Sequence, residues 1–186
     1  MMRGLKVLLW SLLGVVLCYL SILLVFRWMP IPTSAFIYHQ NAQHNAEPQV
    51  YSAANYEWVD WDEIPPELAL AVITAEDQRF PNHWGVDTIE LRNAISDMRA
   101  GKALRGASTI TQQVAKNLFL WNGRSYIRKA TEIFISFSLE LVWSKQRILE
   151  VYMNIAQFAP VTFGVKSASK ILFDKEPKDL TLEESA

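Results

Sequence analysis

The chain has 186 residues, which allows one domain of ordinary size together with a shorter segment. Hydrophobic residues make up 51% of the chain and aromatic residues 12%, so the composition excludes an intrinsically disordered protein. The single cysteine, Cys18, excludes an internal disulfide and a cysteine-based zinc site, and three scattered histidines argue against a histidine-based metal cluster. The formal net charge of −1 provides no argument for nucleic-acid binding.

The N-terminal segment has the properties of a membrane anchor. Residues 7–26 carry no charge, and at about 1.5 Å per residue a helix of this length crosses the ~30 Å hydrocarbon layer of a bilayer. A cleaved signal peptide is the alternative, but its apolar run usually has about 7–15 residues and ends at a small-residue cleavage site. We therefore predict a cytoplasmic stub and a transmembrane anchor over residues 1–28. Arg3 and Lys6 precede the apolar run, so the positive-inside rule places the rest of the chain on the outer face.

The remainder is predicted to be a linker followed by a helical body. Residues 29–55 contain three prolines and a polar run, which predicts a linker, and residues 56–66 predict a short strand or an extended lead-in. Helices are predicted to begin at Pro66, Asp87, Ser108 or Thr109, Ser125 and Ser144, all of which are residue types that open or cap helices. Strand signals are scarce, so the body over residues 56–186 is predicted to be mainly α. A capping box at 181–184 is followed by only two residues, from which we expect a C-terminally truncated chain.

A basic tract lies in the middle of this body. Seven basic side chains and no acidic side chain occur between Met98 and Thr131, namely Arg99, Lys102, Arg105, Lys116, Arg124, Arg128 and Lys129. Such a local positive field suits an anionic ligand, and the guanidinium fork of arginine matches phosphate oxygens. A solvated surface, or contact with anionic lipids, explains the charge pattern equally well. The charge pattern by itself leaves these alternatives open.

Acidic and amide side chains accompany the basic tract. Glu76 ends an apolar helix, where partial burial would suit a general base. Glu132 follows Arg128 by four residues, which by itself indicates an ordinary ion pair on a helix surface. Gln112 and Gln113 are neighbours on a helix and point in different directions, so we expect one to be buried and the other to face a cleft.

Five segments of the body together resemble a known family. They read EDQRFPNHWG (76–85), GASTITQQVAKNLFLW (106–121), RKATE (128–132), KQRILEVYMNIAQF (145–158) and FGVKSASKILF (163–173). In order and spacing they resemble the signatures of the peptidoglycan glycosyltransferases, the family that includes the polymerase domain of bifunctional penicillin-binding proteins. With one N-terminal anchor and a short body, the sequence is similar to the monofunctional biosynthetic transglycosylases from about Trp58 to its end.

The resemblance implies a mainly α, lysozyme-like fold with a small membrane-dipping subregion, held at the outer, periplasmic face of the bacterial inner membrane. The implied reaction polymerises lipid II into β-1,4-linked glycan strands with inversion and releases polyprenyl diphosphate. The implied partners are lipid II, the growing lipid-linked strand and the membrane, and contacts with other proteins of cell-wall synthesis or division are left open. No cofactor is required. A divalent cation could bridge the donor diphosphate, but the sequence shows no dedicated ligand cluster, so no metal is assigned.

The resemblance also implies roles for particular residues. Glu76 would be the general base that takes the proton of the acceptor hydroxyl, and Glu132 would be the second acid of the cleft. The residues that would bind substrate are Ser108, Gln112, Gln113, Lys116, Asn117, Arg124, Arg128 and Lys129. Among them Lys116, Arg124 and Arg128 would hold the diphosphate, with electrostatic help from Lys129.

The sequence departs from the family pattern at one wall of the expected cleft, and two other functions remain open. Residues 157–161 read QFAPV where the family usually has an acid and a glycine-rich turn, and Ala and Pro restrict a backbone that glycines leave free. A lysozyme-like wall-cleaving enzyme shares the fold and a catalytic Glu, but it needs no diphosphate clamp. A non-catalytic scaffold that binds lipid II is the alternative outside the enzymes.

Overall fold

The computed structural model describes residues 2–102, 106, 108–123 and 125–186. Two compact units are present, one that ends at Pro30 and one that extends over Ile31–Ala186. The first unit contains helix α1, Met2–Val25. Its segment Lys6–Val25 is the one helix in the described ranges that is long and apolar enough to cross a membrane, by length and composition. This finding is consistent with the predicted anchor.

The second unit is mainly helical. Its helices are α2 (Ala35–Ala46), α3 (Pro66–Glu76), α4 (Thr88–Arg99), α5 (Ile110–Phe119), α6 (Tyr126–Val142), α7 (Lys145–Ile155), α8 (Val165–Phe173) and α9 (Leu182–Ser185). The described strands are short: β1 (Asn55–Tyr56), β2 (Gln157–Ala159) and β3 (Thr162–Phe163). Single 3-10 turns occupy Trp61–Glu63, Phe80–Asn82 and Pro177–Asp179. The prediction of a mainly α body is confirmed.

The helices begin where the capping residues predict. Asp87, Thr109, Ser125 and Ser144 each accept a hydrogen bond from a backbone N–H in the first turn of the helix that follows. Pro66 occupies the first position of α3, where its missing N–H costs nothing. Of the two predicted caps for α5, Thr109 is the residue in place. Its partner in a reciprocal capping box is Gln112.

Helix α5 lies at the centre of the body, in contact with both α6 and α7. Ile110 and Val114 of α5 are completely buried, as are Leu139 of α6 and Ile148 and Val151 of α7. Burial of such aliphatic side chains contributes about 1.5–3 kcal/mol each relative to exposure. The central helix is therefore rigidly held, and its less buried face can present polar side chains at fixed positions.

A small sheet and one buried amide attach the lead-in segment to this core. The strand order is β1-β3-β2, with β1 parallel and β2 antiparallel to β3. Asn154, at the end of α7, accepts from the N–H of Val59 at 2.7 Å and donates to its carbonyl at 2.9 Å. Since Asn154 is completely buried, this pair fixes the residues that lead into α3.

The segment predicted as a linker contains a helix. Ser34 caps α2 by accepting a hydrogen bond from the N–H of Ile37, and Ile37 is buried. Helix α2 packs against α5, so the second unit begins at Ile31 rather than near residue 56. The sequence did not predict α2 because the segment is rich in prolines and polar residues. The helix is stabilised by tertiary contact more than by its own apolar pattern.

Substitution of Gly164 by alanine is expected to destabilise the protein strongly. Gly164 has φ = +80°, and a Cβ there would lie 2.3 Å from the Asn154 carbonyl oxygen, so the backbone at the end of α7 would have to move. Gly101 also has a positive φ, +73°, but a Cβ there meets nothing within 4 Å. Thermal unfolding should show a loss of about 1–2 kcal/mol for Gly101→Ala and clearly more, about 3 kcal/mol or above, for Gly164→Ala. Equal losses for the two variants would contradict this account.

Candidate active site

The first predicted acid, Glu76, lines a cavity of about 540 Å³. It is the last residue of α3, and its side chain is exposed where the sequence predicted partial burial. The difference arises because α3 ends at this residue, beyond the part of the helix that the body covers. The side-chain amide of Gln113 on α5 donates to Glu76 Oε2 at 2.7 Å. This bond fixes the orientation of the Glu76 carboxylate and leaves its other oxygen, Oε1, open to a ligand.

The loop after Glu76 is fastened to the core by its neighbour, Asp77. The buried Asp77 carboxylate accepts from His83 Nε2 at 2.9 Å and from the backbone N–H of Ile110 at 3.0 Å. Ile110 is the first residue of α5, so the carboxylate also lies at the positive end of that helix. The interaction couples the position of Glu76 to the helix that carries Gln113.

Glu140 is a second attachment point, and no sequence motif pointed to it. Its Oε1 accepts from the N–H of Gly85 at 3.0 Å, from Thr111 Oγ1 at 2.7 Å and from Lys145 Nζ at 2.7 Å. Lys145 Nζ also donates to the carbonyl of His83 at 2.7 Å. Gly85, Thr111 and Lys145 are distant from one another in sequence, yet all three donate to the Glu140 carboxylate. Only the tertiary structure shows this role of Glu140.

The loop also brings together three groups of the kinds that can ligate metals. Asp77, His83 and Asp87 each place one potential ligand atom within 4.8 Å of the others. The sequence showed no such cluster, because the histidine and the two acids are separated by turns. The Asp87 carboxylate is engaged with Arg79 at 2.9 Å and with the first turn of α4. Each of the two carboxylates already has protein donors, and the trio stabilises the loop through these bonds.

The second predicted acid, Glu132, is the buried centre of the basic tract. Its side chain is 3% exposed and contacts Arg128 Nη1 at 2.6 Å and Lys129 Nζ at 2.5 Å. Lys129 Nζ also donates to Ser108 Oγ at 3.3 Å, and Ser108 lines the same cavity as Glu76. Lys129 therefore joins the buried Glu132 to Ser108, which lines the cavity that the exposed Glu76 also lines.

Lys116 adds a further positive charge to this cluster. Burial lowers the pKa of the Lys116 ammonium, the Glu132 carboxylate raises it, and the charges of Arg128 and Lys129 lower it further, with a net decrease. The Lys116 ammonium lies 5.4 Å from the ring centroid of Phe36 on α2. Two cations thus contact the Glu132 carboxylate and a third interacts with it electrostatically, which leaves an excess of positive charge for an anionic ligand.

The remaining predicted residues occupy different environments. Gln112 is buried, and its side chain accepts from the N–H of Thr109 in the capping box, whereas Gln113 faces the cavity. Asn117 is 7% exposed, and its Oδ1 has no partner among the residues that the structure describes. Arg128 Nε also donates to the carbonyl of Gly123 at 2.7 Å. Arg124 lies outside the described residues.

The fold and the site define a class of protein. Glu76 is an exposed carboxylate with a fixed orientation, and its cavity leads to a partly buried cluster of cations. This combination suits the transfer of a group away from an anionic leaving group. The chain belongs to the transglycosylase family, since the family model described as "Transglycosylase" matches residues 43–186.

Curated relatives give the same result. Three proteins named "Biosynthetic peptidoglycan transglycosylase" are 48%, 45% and 45% identical to the chain, from Mannheimia succiniciproducens, Pasteurella multocida and Pectobacterium carotovorum. The alignments cover 87%, 90% and 95% of this chain and 66%, 68% and 72% of the relatives. The aligned part of the chain thus spans about two thirds of the length of these proteins. The predicted family and its mainly helical, lysozyme-like glycosyltransferase domain are confirmed.

Neutralisation of Glu132 should destabilise the fold, whereas neutralisation of Lys116 should not. Because its folded-state pKa is lowered below 10.5, protonated Lys116 destabilises the fold below that pKa, and the cost disappears as pH rises toward 10.5. Lys116→Met should therefore leave the melting temperature at neutral pH unchanged or raised. Glu132→Gln removes the counter-charge of a buried cluster and should cost at least about 2 kcal/mol.

Differential scanning fluorimetry at neutral pH would measure both effects. Glu183→Gln, at an exposed acid of α9 far along the chain from the cluster, is a suitable control for Glu132→Gln. A melting temperature several degrees lower for Lys116→Met would contradict the assignment of Lys116 as an unfavourably placed charge.

Proposed function

We propose that the protein is a membrane-anchored glycosyltransferase that polymerises lipid II into β-1,4-linked glycan strands, with inversion and release of polyprenyl diphosphate. The observation that carries the proposal is the link from the Glu76 cavity through Ser108 and Lys129 to the excess positive charge around Glu132. A reaction that deprotonates a sugar hydroxyl and expels a diphosphate needs a base and a set of cations in one site.

Glu76 acts in this proposal as the general base. It removes the proton from the 4-hydroxyl of the incoming disaccharide as that oxygen attacks the anomeric carbon of the lipid-linked strand. The exposure of Glu76 in the cavity gives a substrate hydroxyl access to the carboxylate, and the 2.7 Å bond from Gln113 holds its orientation. Gln113 is thereby a positioning residue for the base.

The basic cluster stabilises the leaving group. Lys116, Arg128 and Lys129 compensate the negative charge that develops on the departing diphosphate, and Arg124 is proposed to assist them. Glu132 holds Arg128 and Lys129 in place through its two ion pairs, so their donors are oriented before the substrate binds. The buried Oδ1 of Asn117 can accept a hydrogen bond from a substrate hydroxyl.

The proposal also places the chain relative to the membrane. Residues 1–28 form a cytoplasmic stub and a single membrane span, and the second unit, Ile31–Ala186, lies at the periplasmic face of the inner membrane. This placement brings the site to the lipid-linked substrate. The positive cluster favours a polymerase over a wall-cleaving enzyme, because hydrolysis of a neutral glycan releases no diphosphate. A non-catalytic scaffold that binds lipid II would not need the Glu76 carboxylate to be held in one orientation by Gln113.

Glu76→Gln should abolish polymerisation while the protein remains folded. The amide cannot accept the hydroxyl proton, and loss of a general base typically costs about 10²–10⁴-fold in rate. The measurement is a gel of the products formed by the detergent-solubilised protein from labelled lipid-linked disaccharide-peptide. Glu67→Gln, at the exposed first turn of the same helix, is the matched control and should retain activity. Glycan synthesis by Glu76→Gln at near-normal rates would remove Glu76 from the role of base.

Lys116→Met should lower the polymerisation rate far more than Lys102→Met. Both residues belong to the basic tract, but Lys102 is exposed and paired with Asp97, whereas Lys116 is coupled to Glu132 and Arg128. We expect about 10²-fold or more for Lys116→Met, the size of effect typical for loss of one group that stabilises transition-state charge. Initial rates at several donor concentrations would measure it. Equal rates for the two variants would refute the diphosphate role.

A further inference from the structure

The Glu76 cavity contains a second charged group that the chemistry described so far does not use. Arg79 lines this cavity together with Glu76 and is the one cation among the described residues of its lining. Arg79 follows Glu76 by three residues, so their two α-carbons are at most about 11 Å apart. The cavity volume of about 540 Å³ is within the usual range for small ligands. A disaccharide that has one hydroxyl at Glu76 can therefore reach Arg79.

Arg79 is oriented by a bond through its Nε. This atom donates to Asp87 Oδ2 at 2.9 Å, and the Asp87 side chain is 4% exposed. Asp87 Oδ1 accepts from the N–H groups of Ile89 and Glu90, so the carboxylate is fixed at the start of α4. The two amino groups of Arg79, Nη1 and Nη2, form no hydrogen bond with any residue that the structure describes, and the side chain is 38% exposed. The guanidinium is thus held in place while its remaining donors stay available to a ligand.

The free edge of this guanidinium suits an oxyanion. Nη1 and Nη2 present parallel N–H groups that pair with two oxygens of a phosphate or a carboxylate. The acids of the cavity are partly compensated. Asp77 accepts from a histidine and from the first N–H of α5, Asp87 from Arg79 and the first turn of α4, and Glu90 from Asn93 at 3.2 Å. The Arg79 fork therefore remains able to bind an anion of the substrate.

The acceptor of the proposed reaction carries such an anion. Its 4-hydroxyl lies at Glu76, and the other sugar of the same disaccharide is linked through a diphosphate to a polyprenyl chain. Exposed apolar side chains follow Asp87 on α4, namely Ile89, Leu91 and Ile95. An apolar surface beside the guanidinium suits a diphosphate that continues into a polyprenyl chain, whereas a peptide stem with its carboxylates gains nothing from it. The surroundings of Arg79 thus favour the diphosphate over the stem.

We propose that Arg79 binds the diphosphate of the acceptor, the incoming lipid-linked disaccharide, and thereby holds its 4-hydroxyl at Glu76. The identity of the acceptor rests on the proposed function, whereas the capacity of Arg79 to bind an anion does not. The donor diphosphate has its own cations in Lys116, Arg128 and Lys129. The two diphosphates are therefore held by separate groups, and Arg79 determines the affinity for the acceptor alone.

The test measures single transfers by the full chain in detergent. The donor is a labelled lipid-linked disaccharide whose own 4-hydroxyl is blocked, so that it cannot act as an acceptor. Arg79→Gln should raise the KM for unlabelled lipid II as acceptor about tenfold or more, the size expected for loss of a charge-assisted contact. The kcat and the KM for the donor should change by less than about threefold, because the contact is made in the ground state and the transition state alike. Loss of fold or of base orientation would lower kcat instead.

Arg92→Gln is the matched control. Arg92 is an exposed arginine of α4 that does not line the cavity, so its substitution removes the same charge and should leave the acceptor KM unchanged. The glutamine in Arg79→Gln can still donate to Asp87, and the melting temperature of this variant should stay close to that of the unaltered protein. Arg79→Lys keeps the charge and should recover part of the affinity for the acceptor.

Two further acceptors identify the group that Arg79 binds. An acceptor without the peptide stem retains the diphosphate, and its KM should rise in Arg79→Gln as it does for lipid II. An acceptor in which a neutral linker replaces the diphosphate should have a KM about tenfold higher with the unaltered protein, and Arg79→Gln should use it equally well. The measurement on the unaltered protein needs no variant to fold.

The outcomes separate this proposal from the proposed function. An unchanged acceptor KM in Arg79→Gln, or an equal rise in Arg92→Gln, would overturn the role of Arg79 while glycan synthesis by the unaltered protein upholds the proposed function. A KM rise that persists with the neutral linker and disappears without the stem would also overturn it, since Arg79 would then bind a stem carboxylate. If the unaltered protein transfers no sugar, the proposed function fails. Calorimetric titration with a lipid-free disaccharide diphosphate then tests Arg79 alone, and binding equal in Arg79→Gln and the unaltered protein would refute its role.

Discussion

The pairing of the buried Glu132 carboxylate with the cations around it is the interaction on which the rest of the site depends. Glu132 is almost completely enclosed, yet it neutralises only part of the charge of Arg128, Lys129 and Lys116. Without it, the cations would repel one another and rotate toward solvent. With it, their donors remain fixed and the excess positive charge remains available to an anion. Burial and the neighbouring cations lower the pKa of Lys116 although Glu132 raises it, so the charge of Lys116 costs stability where it lies.

Helix α5 fixes the positions of the polar side chains around the cluster relative to the rest of the body. Its apolar side chains are buried between α6 and α7, so the polar face that remains has little freedom to move. Gln113 on that face orients Glu76, and the N–H of Ile110 fixes Asp77 beside it. The loop that follows Glu76, the proposed base, is thus held by the same helix that carries Lys116. Glu76 and Lys116 keep their relative positions because one rigid element connects them.

Two carboxylates outside the proposed substrate-binding residues have comparable structural importance. Asp77 fastens the loop to the start of α5, and Glu140 gathers the backbone of Gly85, the hydroxyl of Thr111 and the ammonium of Lys145. Hydrogen bonds to buried charged groups contribute more than those between neutral groups, about 1.5–3 kcal/mol each. These contacts explain how the irregular loop after α3 is fixed, and with it the position of Glu76 at the end of that helix.

Local chemistry determined much of this protein from the sequence alone: the apolar span, the starts of the helices at Asp87, Thr109, Ser125 and Ser144, and the basic tract with its flanking acids. These features depend on residues close together in the chain, through capping bonds and periodic burial. Tertiary structure alone decided that Glu76 is exposed and Glu132 buried, that Gln113 faces the cavity, and that α2 forms in a segment of polar residues and prolines. Those outcomes depend on which surfaces meet after folding, and burial between distant segments leaves no periodic signal in the sequence.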